Sequence, residues 1–151
     1  MRQRSRHLAA LILLALTPVP LAAQPAAGDF VIPVTNLRSA RGQILACLVA
    51  TARAFPDCSR DPAAHKLIVP VAGASAVLDF GPIPAGTWAI AVIHDENGNG
   101  RMDKALMMPK EGFGFSRDAP VRFGPPSFTQ AAFALGGEPP AHMVIRMRYM
   151  F

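Results

Sequence analysis

The sequence predicts an all-β fold, a β-sandwich of seven to eight short strands. Three observations lead to this prediction. Apolar segments of about eight residues or fewer, rich in β-branched side chains, recur along the chain. The 15 prolines and 12 glycines are scattered among them, where they favour turns and interrupt helices. No window shows the apolar period of a helix, and many short strands separated by turns are typical of a sandwich.

The predicted strands lie at 30–37, 43–50, 66–72, 76–83, 87–94, 121–123, 128–135 and 142–149. Both alternating faces of 87–94 are mostly apolar, which indicates a central strand covered on both sides. In 142–149, four apolar or aromatic residues face one way, whereas Arg146 and Arg148 face the other, towards water. A long polar segment, 95–120, is predicted to be a loop, and long loops in compact domains are often functional.

The N-terminus has the layout of a cleaved secretory signal peptide. Three arginines precede the short apolar run LAALILLAL, which ends in prolines and then in small residues at Ala22 and Ala23. We therefore expect residues 1–23 to be removed and residues 24–151 to form one domain, secreted or periplasmic in the bacterial cell envelope. The apolar run is too short for a membrane span. Since Gln24 rather than a cysteine follows the expected cleavage point, we expect no lipid anchor.

The charge of the chain excludes one class of partner. Removing residues 1–23 takes away three of the 15 Lys and Arg and none of the 10 Asp and Glu, so the net charge falls from +5 to +2. The remaining 128 residues contain no basic run interleaved with aromatic residues. We therefore expect no binding of nucleic acid.

The chain has two cysteines, Cys47 and Cys58. In an oxidising compartment an even pair predicts one disulfide, here closing a loop of about twelve residues. A buried free Cys47 and a redox pair are the alternatives, but the spacing is not that of a C-x-x-C motif.

The segment HDENGNGRMD, residues 94–103, is the strongest candidate for a binding site. Counted from Asp95, oxygen-bearing side chains stand at the first, third, fifth and ninth positions: Asp95, Asn97, Asn99 and Asp103. Gly100 occupies the sixth position, and Arg101 can offer its backbone carbonyl. This spacing follows the first part of an EF-hand calcium loop, in which alternate residues aim oxygens at one hard cation.

The match to a calcium loop is incomplete. Leu106 stands at the twelfth position, where a bidentate Glu is expected, and Glu111 completes the shell only if the chain doubles back. With few carboxylates, we expect weak Ca²⁺ binding, at about 10⁻⁴ to 10⁻³ M. The alternative is a metal-free turn in which Asn97-Gly98 and Asn99-Gly100 supply positive φ angles and Asp95 caps backbone amides.

Other chemistry has less support. His94 lies on the apolar face of its strand, which favours a buried, hydrogen-bonded histidine over a catalytic one. Met102, Met107 and Met108 are soft ligands that would suit copper, but methionines also fill cores. Phe113 and Phe115, each preceded by a glycine, form either a ligand-facing flap or two aromatics tucked onto the sandwich. Neither Ser116 nor Ser127 has a nearby base, so we predict no enzymatic activity.

Several segments together resemble a known family. The stretches GQILACL, IPAGTWAIAVIHDENGNGRMD, PKEGFGFSRDA and GPPSFTQAAFAL, in this order, are similar to the bacterial domain-of-unknown-function family 2141. The resemblance covers nearly all of residues 24–151. It implies a secreted or envelope protein with an immunoglobulin- or transthyretin-like β-sandwich, and it implies no activity.

These observations lead to one functional hypothesis and one alternative. The first is a secreted or periplasmic, non-enzymatic β-sandwich module with a weak calcium loop at 95–103, whose partner is an envelope protein or a polysaccharide. The alternative is a periplasmic carrier of a small ligand or of copper that uses the 95–118 loop. A pocket lined by Glu111, Phe113 and Phe115 would favour the carrier.

Overall fold

The computed structural model describes residues 29–136 and 143–151. The predicted signal peptide, residues 1–23, lies outside these described residues. Within them, no helix is both long and apolar enough to cross a membrane.

The protein is all-β, with two main sheets and a small hairpin, as the sequence predicts. The strands are β1 (Asp29–Thr35), β2 (Gln43–Val49), β3 (His65–Pro70), β4 (Ser75–Pro82), β5 (Gly86–Asp95), β6 (Lys104–Ala105), β7 (Met108–Pro109), β8 (Gly112–Phe115), β9 (Phe133–Leu135) and β10 (Ile145–Arg146). The first sheet has the order β10-β1-β4, and the second has the order β3-β2-β5-β8, with β9 also pairing with β5. Strands β6 and β7 pair only with each other.

The main core lies where alternate side chains of the two sheets meet. Its buried members include Ile32 and Val34 from β1, Leu78 from β4, and the following residues of the second sheet: Ile44, Ala46, Leu48, Trp88, Ile90 and Val92. A second cluster covers the opposite face of β5, with Ala89, Ala91, Phe113, Phe115 and two alanines of the C-terminal half. Strand β5 is therefore central and covered on both sides, as its sequence predicts.

The C-terminal segment has the predicted faces at three of its residues: Ile145 and Met147 are fully buried, and Arg146 is exposed. Arg148, predicted from the sequence to face water, is half-buried, because its guanidinium donates to the carbonyls of Asp118 and Ala119. The regular strand is shorter than the predicted 142–149, since β10 covers only Ile145–Arg146, and it pairs with β1 in parallel. One further bridge joins Arg148 to Phe113.

Two other predictions of secondary structure are wrong. Residues 121–123 do not form a strand, and 128–135 begins as a one-turn helix, α1 (Phe128–Ala131), before β9. The reason is a capping box, in which the Ser127 side chain and the Gln130 side chain each bond the other's backbone N–H. This local pair of hydrogen bonds outweighs the strand preference of the neighbouring residues.

The predicted loop 95–120 contains three strands. Its last strand, β8, pairs with β5 from Ala91 to His94 and is fully buried. Glycine at positions 112 and 114 conceals this strand in the sequence, and close packing explains both residues. A Cβ at Gly112 would lie 2.3 Å from the Tyr149 ring, and one at Gly114 would lie 2.7 Å from Ile145.

Cys47 and Cys58 form the predicted disulfide. It ties β2 to the loop that follows a short 3-10 helix, Ala52–Ala54. Cys58 is buried beside Val49 and Ala54, so the bond closes a small satellite core at this end of the sheet.

Candidate metal centre

Strand β5 ends at Asp95 and places its carboxylate at the base of the polar loop. Asp95 is fully buried and pairs in register with Gln43 of β2. Its Oδ1 accepts the N–H of Asn99 at 3.0 Å, and its Oδ2 accepts the N–H of Gly100 at 2.7 Å and the Gln43 amide at 2.8 Å. The carboxylate thus fixes the curl of the loop from inside.

The asparagines continue this curl. The Oδ1 atom of Asn97 accepts the N–H of Asn99 at 3.1 Å, and that of Asn99 accepts the N–H of Arg101 at 3.0 Å. Gly98 and Gly100 have φ angles of 71° and 79°, a region in which glycine has no steric penalty. The oxygens of alternate residues are therefore held by short local turns.

Asp103 lies across the curl from the asparagines. Its Oδ2 accepts the side-chain amides of Asn97, at 2.8 Å, and of Asn99, at 3.0 Å. Arg101 forms only a long ion pair with it, 3.7 Å from Nε to Oδ1. One carboxylate oxygen thus accepts two amide N–H groups, which stabilise its negative charge and which a cation at this oxygen would have to displace.

Glu111 reaches the same loop from a position eight residues further along the chain. The β6–β7 hairpin turns the chain back, and the Lys110 N–H donates to the Asp103 carbonyl at 2.9 Å. The Asp103 N–H donates to Glu111 Oε2 at 3.0 Å. Glu111 is only 5% exposed, and its Oε1 atom is buried with no hydrogen-bond partner among the described residues.

The pKa values of the three carboxyl groups diverge. Burial raises the pKa of Asp95, but hydrogen bonds from Gln43 and from three backbone N–H groups outweigh it and leave the pKa below its ordinary value. The Asn97 and Asn99 amides lower the pKa of Asp103. Burial raises the pKa of Glu111 despite N–H groups that lower it, and the charges of Asp95 and Asp103 raise it further.

Carboxylate and amide oxygens are the ligand atoms that a hard cation prefers, and the loop contains both kinds. Within 29–136 and 143–151, no group of three or more His, Cys, Asp or Glu side chains is arranged to hold a metal ion. Asp95, Asp103 and Glu111 therefore do not form a ready-made ligand set, and a cation at this loop would need them to move closer together and amide and backbone oxygens to join them. The buried, unpaired Glu111 oxygen is the observation that favours a cation here, because the described residues supply it with no compensating donor.

A family model described as "Uncharacterized protein conserved in bacteria (DUF2141)" matches residues 32–142. The chain belongs to this family. The DUF2141 match includes the whole candidate centre, from Gln43 to Glu111, and both glycines of β8. No curated protein and no solved structure matches the chain.

A second polar cluster of this DUF2141 chain lies beside the loop, and the sequence alone does not reveal it. The Arg38 guanidinium donates to Glu96 Oε2, with Nε at 2.9 Å, and Ser39 donates to Glu96 Oε1 at 2.6 Å. These contacts lower the pKa of Glu96, the Arg38 bond most. Arg38 also lies over the Tyr149 ring, 4.5 Å from its centroid. These residues lie far apart in the sequence, so no local sequence pattern indicates that they meet.

His94 is a structural residue in this cluster, as its position on the apolar face predicts. Its Nε2 lies 2.9 Å from the Arg41 carbonyl and its Nδ1 lies 2.7 Å from the Tyr149 hydroxyl. A carbonyl only accepts, so Nε2 carries the proton and Nδ1 accepts from Tyr149. Both nitrogens are engaged, which leaves neither free for catalysis or for copper.

The ligand-facing flap is not formed. Phe113 and Phe115 are buried in the second core cluster, so the alternative, two aromatics tucked onto the sandwich, is the correct one. A shallow surface cavity of the described chain lies elsewhere, beside Pro120, Phe123 and Gln130. Ser116 is buried, and its hydroxyl donates to the Ala131 carbonyl at 2.6 Å, which is a structural role.

Proposed function

We propose that the chain is a non-enzymatic β-sandwich module of the bacterial cell envelope, periplasmic or secreted, whose 95–103 loop binds Ca²⁺ weakly together with Glu111. In this role the ion orders the loop for an envelope protein or a polysaccharide. Support for export comes from the layout of residues 1–23 and from the disulfide, a bond typical of oxidising compartments.

The unpaired Oε1 of Glu111 carries the calcium proposal. A buried carboxylate oxygen without a donor is costly in a native protein, and a bound cation is one way to compensate it. Asp95, Asn97, Asn99 and Asp103 supply further oxygens, with the Arg101 carbonyl in the same curl. Because the asparagine amides donate to Asp103 in this structure, they must turn to offer their oxygens to a cation instead. This rearrangement and the small number of carboxylates support weak binding, about 10⁻⁴ to 10⁻³ M.

Thermal unfolding with and without calcium tests the proposal. At ten times the dissociation constant, Ca²⁺ stabilises the folded state by about 1.4 kcal/mol, which should raise the midpoint by roughly 4 to 6 °C. Excess chelator should abolish the rise, and equimolar Mg²⁺ should reproduce little of it, since Mg²⁺ demands a tighter octahedral shell.

Matched carboxylate variants locate the effect. Asp103→Asn should remove most of the calcium shift, and Asp95→Ala should remove all of it. Asp79→Asn is the control, because Asp79 accepts a backbone N–H two residues on, as the loop side chains do, but lies on β4 of the other sheet. A calcium shift that survives in Asp103→Asn, or no shift in the parent protein, would make the segment a metal-free turn.

Export has its own test. Expression with the native N-terminus in a bacterial host should give periplasmic protein that begins at or near Gln24, measured by intact mass. Full-length protein retained in the cytoplasm would contradict the assignment of residues 1–23.

A further inference from the structure

The tip of the β6–β7 hairpin is unusually apolar for an exposed turn. Leu106 and Met107 form its two central residues and are 93% and 91% exposed, and Met108 beside them is 41% exposed. Most apolar side chains of this size are at least partly covered in a folded domain. Three adjacent ones at one projecting point indicate a contact surface.

The backbone of the tip is also unfavourable for these residues. Leu106 and Met107 have φ angles of 47° and 73°, as in the two-residue turns that Asn-Gly fits best. Bulky side chains rarely adopt this region, and such strain persists where it serves a function. Stability therefore does not explain Leu and Met at the tip.

Exposed basic side chains flank the hairpin, whereas the acidic residues next to them in the chain are half-buried (Asp103) or buried (Glu111). Lys104 and Lys110 stand at its base, one on each side, and Arg101 precedes it; all three are exposed. Each lysine is two or three residues from the tip, about 7 to 10 Å along a strand. Apolar groups of membrane-surface proteins insert about 5 to 10 Å below the headgroups, where basic residues meet anionic lipid. The spacing of charge and apolar tip matches that layer.

We propose that the β6–β7 hairpin binds the surface of an anionic lipid membrane, with Leu106, Met107 and Met108 inserted and with Lys104 and Lys110 at the phosphates. Leu and Met supply the apolar area, and the lysines supply the preference for anionic lipid. The proposal is independent of calcium, since the lipid contacts that it names involve none of the residues of the proposed ion site.

Vesicle co-sedimentation of the exported, processed chain in excess chelator tests this. The parent protein should bind vesicles of phosphatidylcholine with phosphatidylglycerol and bind those of phosphatidylcholine alone much less. The double variant Leu106→Asn/Met107→Gly should lose at least about tenfold of this binding. Its unfolding midpoint should stay equal or rise, because Asn-Gly suits the turn, so misfolding does not account for the loss.

Two further variants separate the contributions of charge and apolar area. Lys104→Gln/Lys110→Gln should weaken binding to the anionic vesicles by roughly 25-fold, at about a fivefold loss for each lysine. Ile68→Thr removes an exposed apolar side chain from the edge strand β3 and should leave binding unchanged. All variants share one N-terminus, so any contribution from it cancels.

Three results would overturn the proposal. One is binding of the Asn-Gly variant at the parent level, and another is no binding of the parent to either vesicle. The third is self-association of the lipid-free parent protein in analytical ultracentrifugation, if the Asn-Gly variant no longer self-associates. That result would mean that the tip binds a second copy of the chain.

Discussion

Glu111 accepts the backbone N–H of Asp103 at 3.0 Å, although eight residues separate the two. This contact joins the two ends of the segment 103–111, and the β6–β7 hairpin lies between them. It also brings a third carboxylate to the loop, in addition to those of Asp95 and Asp103. The position where a calcium loop has its last glutamate is occupied here by Leu106. The other oxygen of Glu111 is buried and has no hydrogen-bond partner among the described residues, which is an unfavourable arrangement for a carboxylate.

Glu111→Gln should therefore stabilise the ion-free protein at neutral pH. The amide keeps an oxygen for the Asp103 N–H and removes a buried charge that Asp95 and Asp103 repel. We expect a higher urea midpoint in chelator and, at the same time, loss of the calcium-dependent shift. If the variant is less stable than the parent without calcium, the unpaired carboxylate is not a cost.

The same variant has a defined pH dependence. The pKa of Glu111 is raised in the folded state, first by burial and then by the neighbouring carboxylates, so the folded protein holds this proton more tightly than the unfolded chain. Parent stability therefore falls as the pH rises from the ordinary glutamate value of about 4.5 through the raised value. The advantage of Glu111→Gln should be near zero below pH 4, grow above it and then level off. An advantage that is constant across pH would contradict this origin.

The sequence predicts local features of this molecule well and distant pairings poorly. The apolar faces of β5 and of the C-terminal strand follow from the alternation of apolar residues alone. The spacing of oxygen-bearing side chains from Asp95 to Asp103 lies within the single segment 94–103. From the sequence alone, Glu111 belongs to the loop only if the chain turns back. The hairpin that turns it has Leu106 and Met107 where Asn-Gly is expected, so no turn pattern marks it.

Strand β8 was missed for a related reason. Gly112 and Gly114 weaken the strand pattern, and what requires them is the packing of Tyr149 and Ile145, more than 30 residues away. Likewise, Arg38, Glu96 and Tyr149 lie far apart in the sequence and meet only in the folded chain. Such contacts depend on the tertiary fold, which a single sequence does not display.

Gly112→Ala should destabilise the fold by about 1 to 3 kcal/mol, because the new methyl group would lie 2.3 Å from the Tyr149 ring. Gly73→Ala is the matched control, since nothing lies within 4 Å of a Cβ there. Equilibrium unfolding in urea should separate the two variants clearly. Equal effects would mean that Tyr149 moves aside without cost.

Tyr149 is the only tyrosine of the chain, so its titration is directly observable. Burial raises its pKa in the folded protein, against the Arg38 N–H that lowers it. Absorbance near 295 nm should give a midpoint above 10 when folded, returning to about 10 in denaturant. Because the folded state holds this proton more tightly, stability should fall as the pH rises above about 10. Coincident folded and unfolded titrations would contradict the partly buried position of this side chain.

The disulfide should contribute much of the stability of this small domain. Cys47 and Cys58 are separated by 11 positions, and closing a loop of this size in the unfolded chain is worth about 3 kcal/mol by chain entropy. Cys47→Ala/Cys58→Ala, compared with the oxidised parent in urea, should show a loss of that order. Each single variant, which leaves one free thiol, should lose a similar amount, since either one opens the same loop. If the double variant is as stable as the parent, contacts of the satellite core alone hold the 51–64 segment against β2.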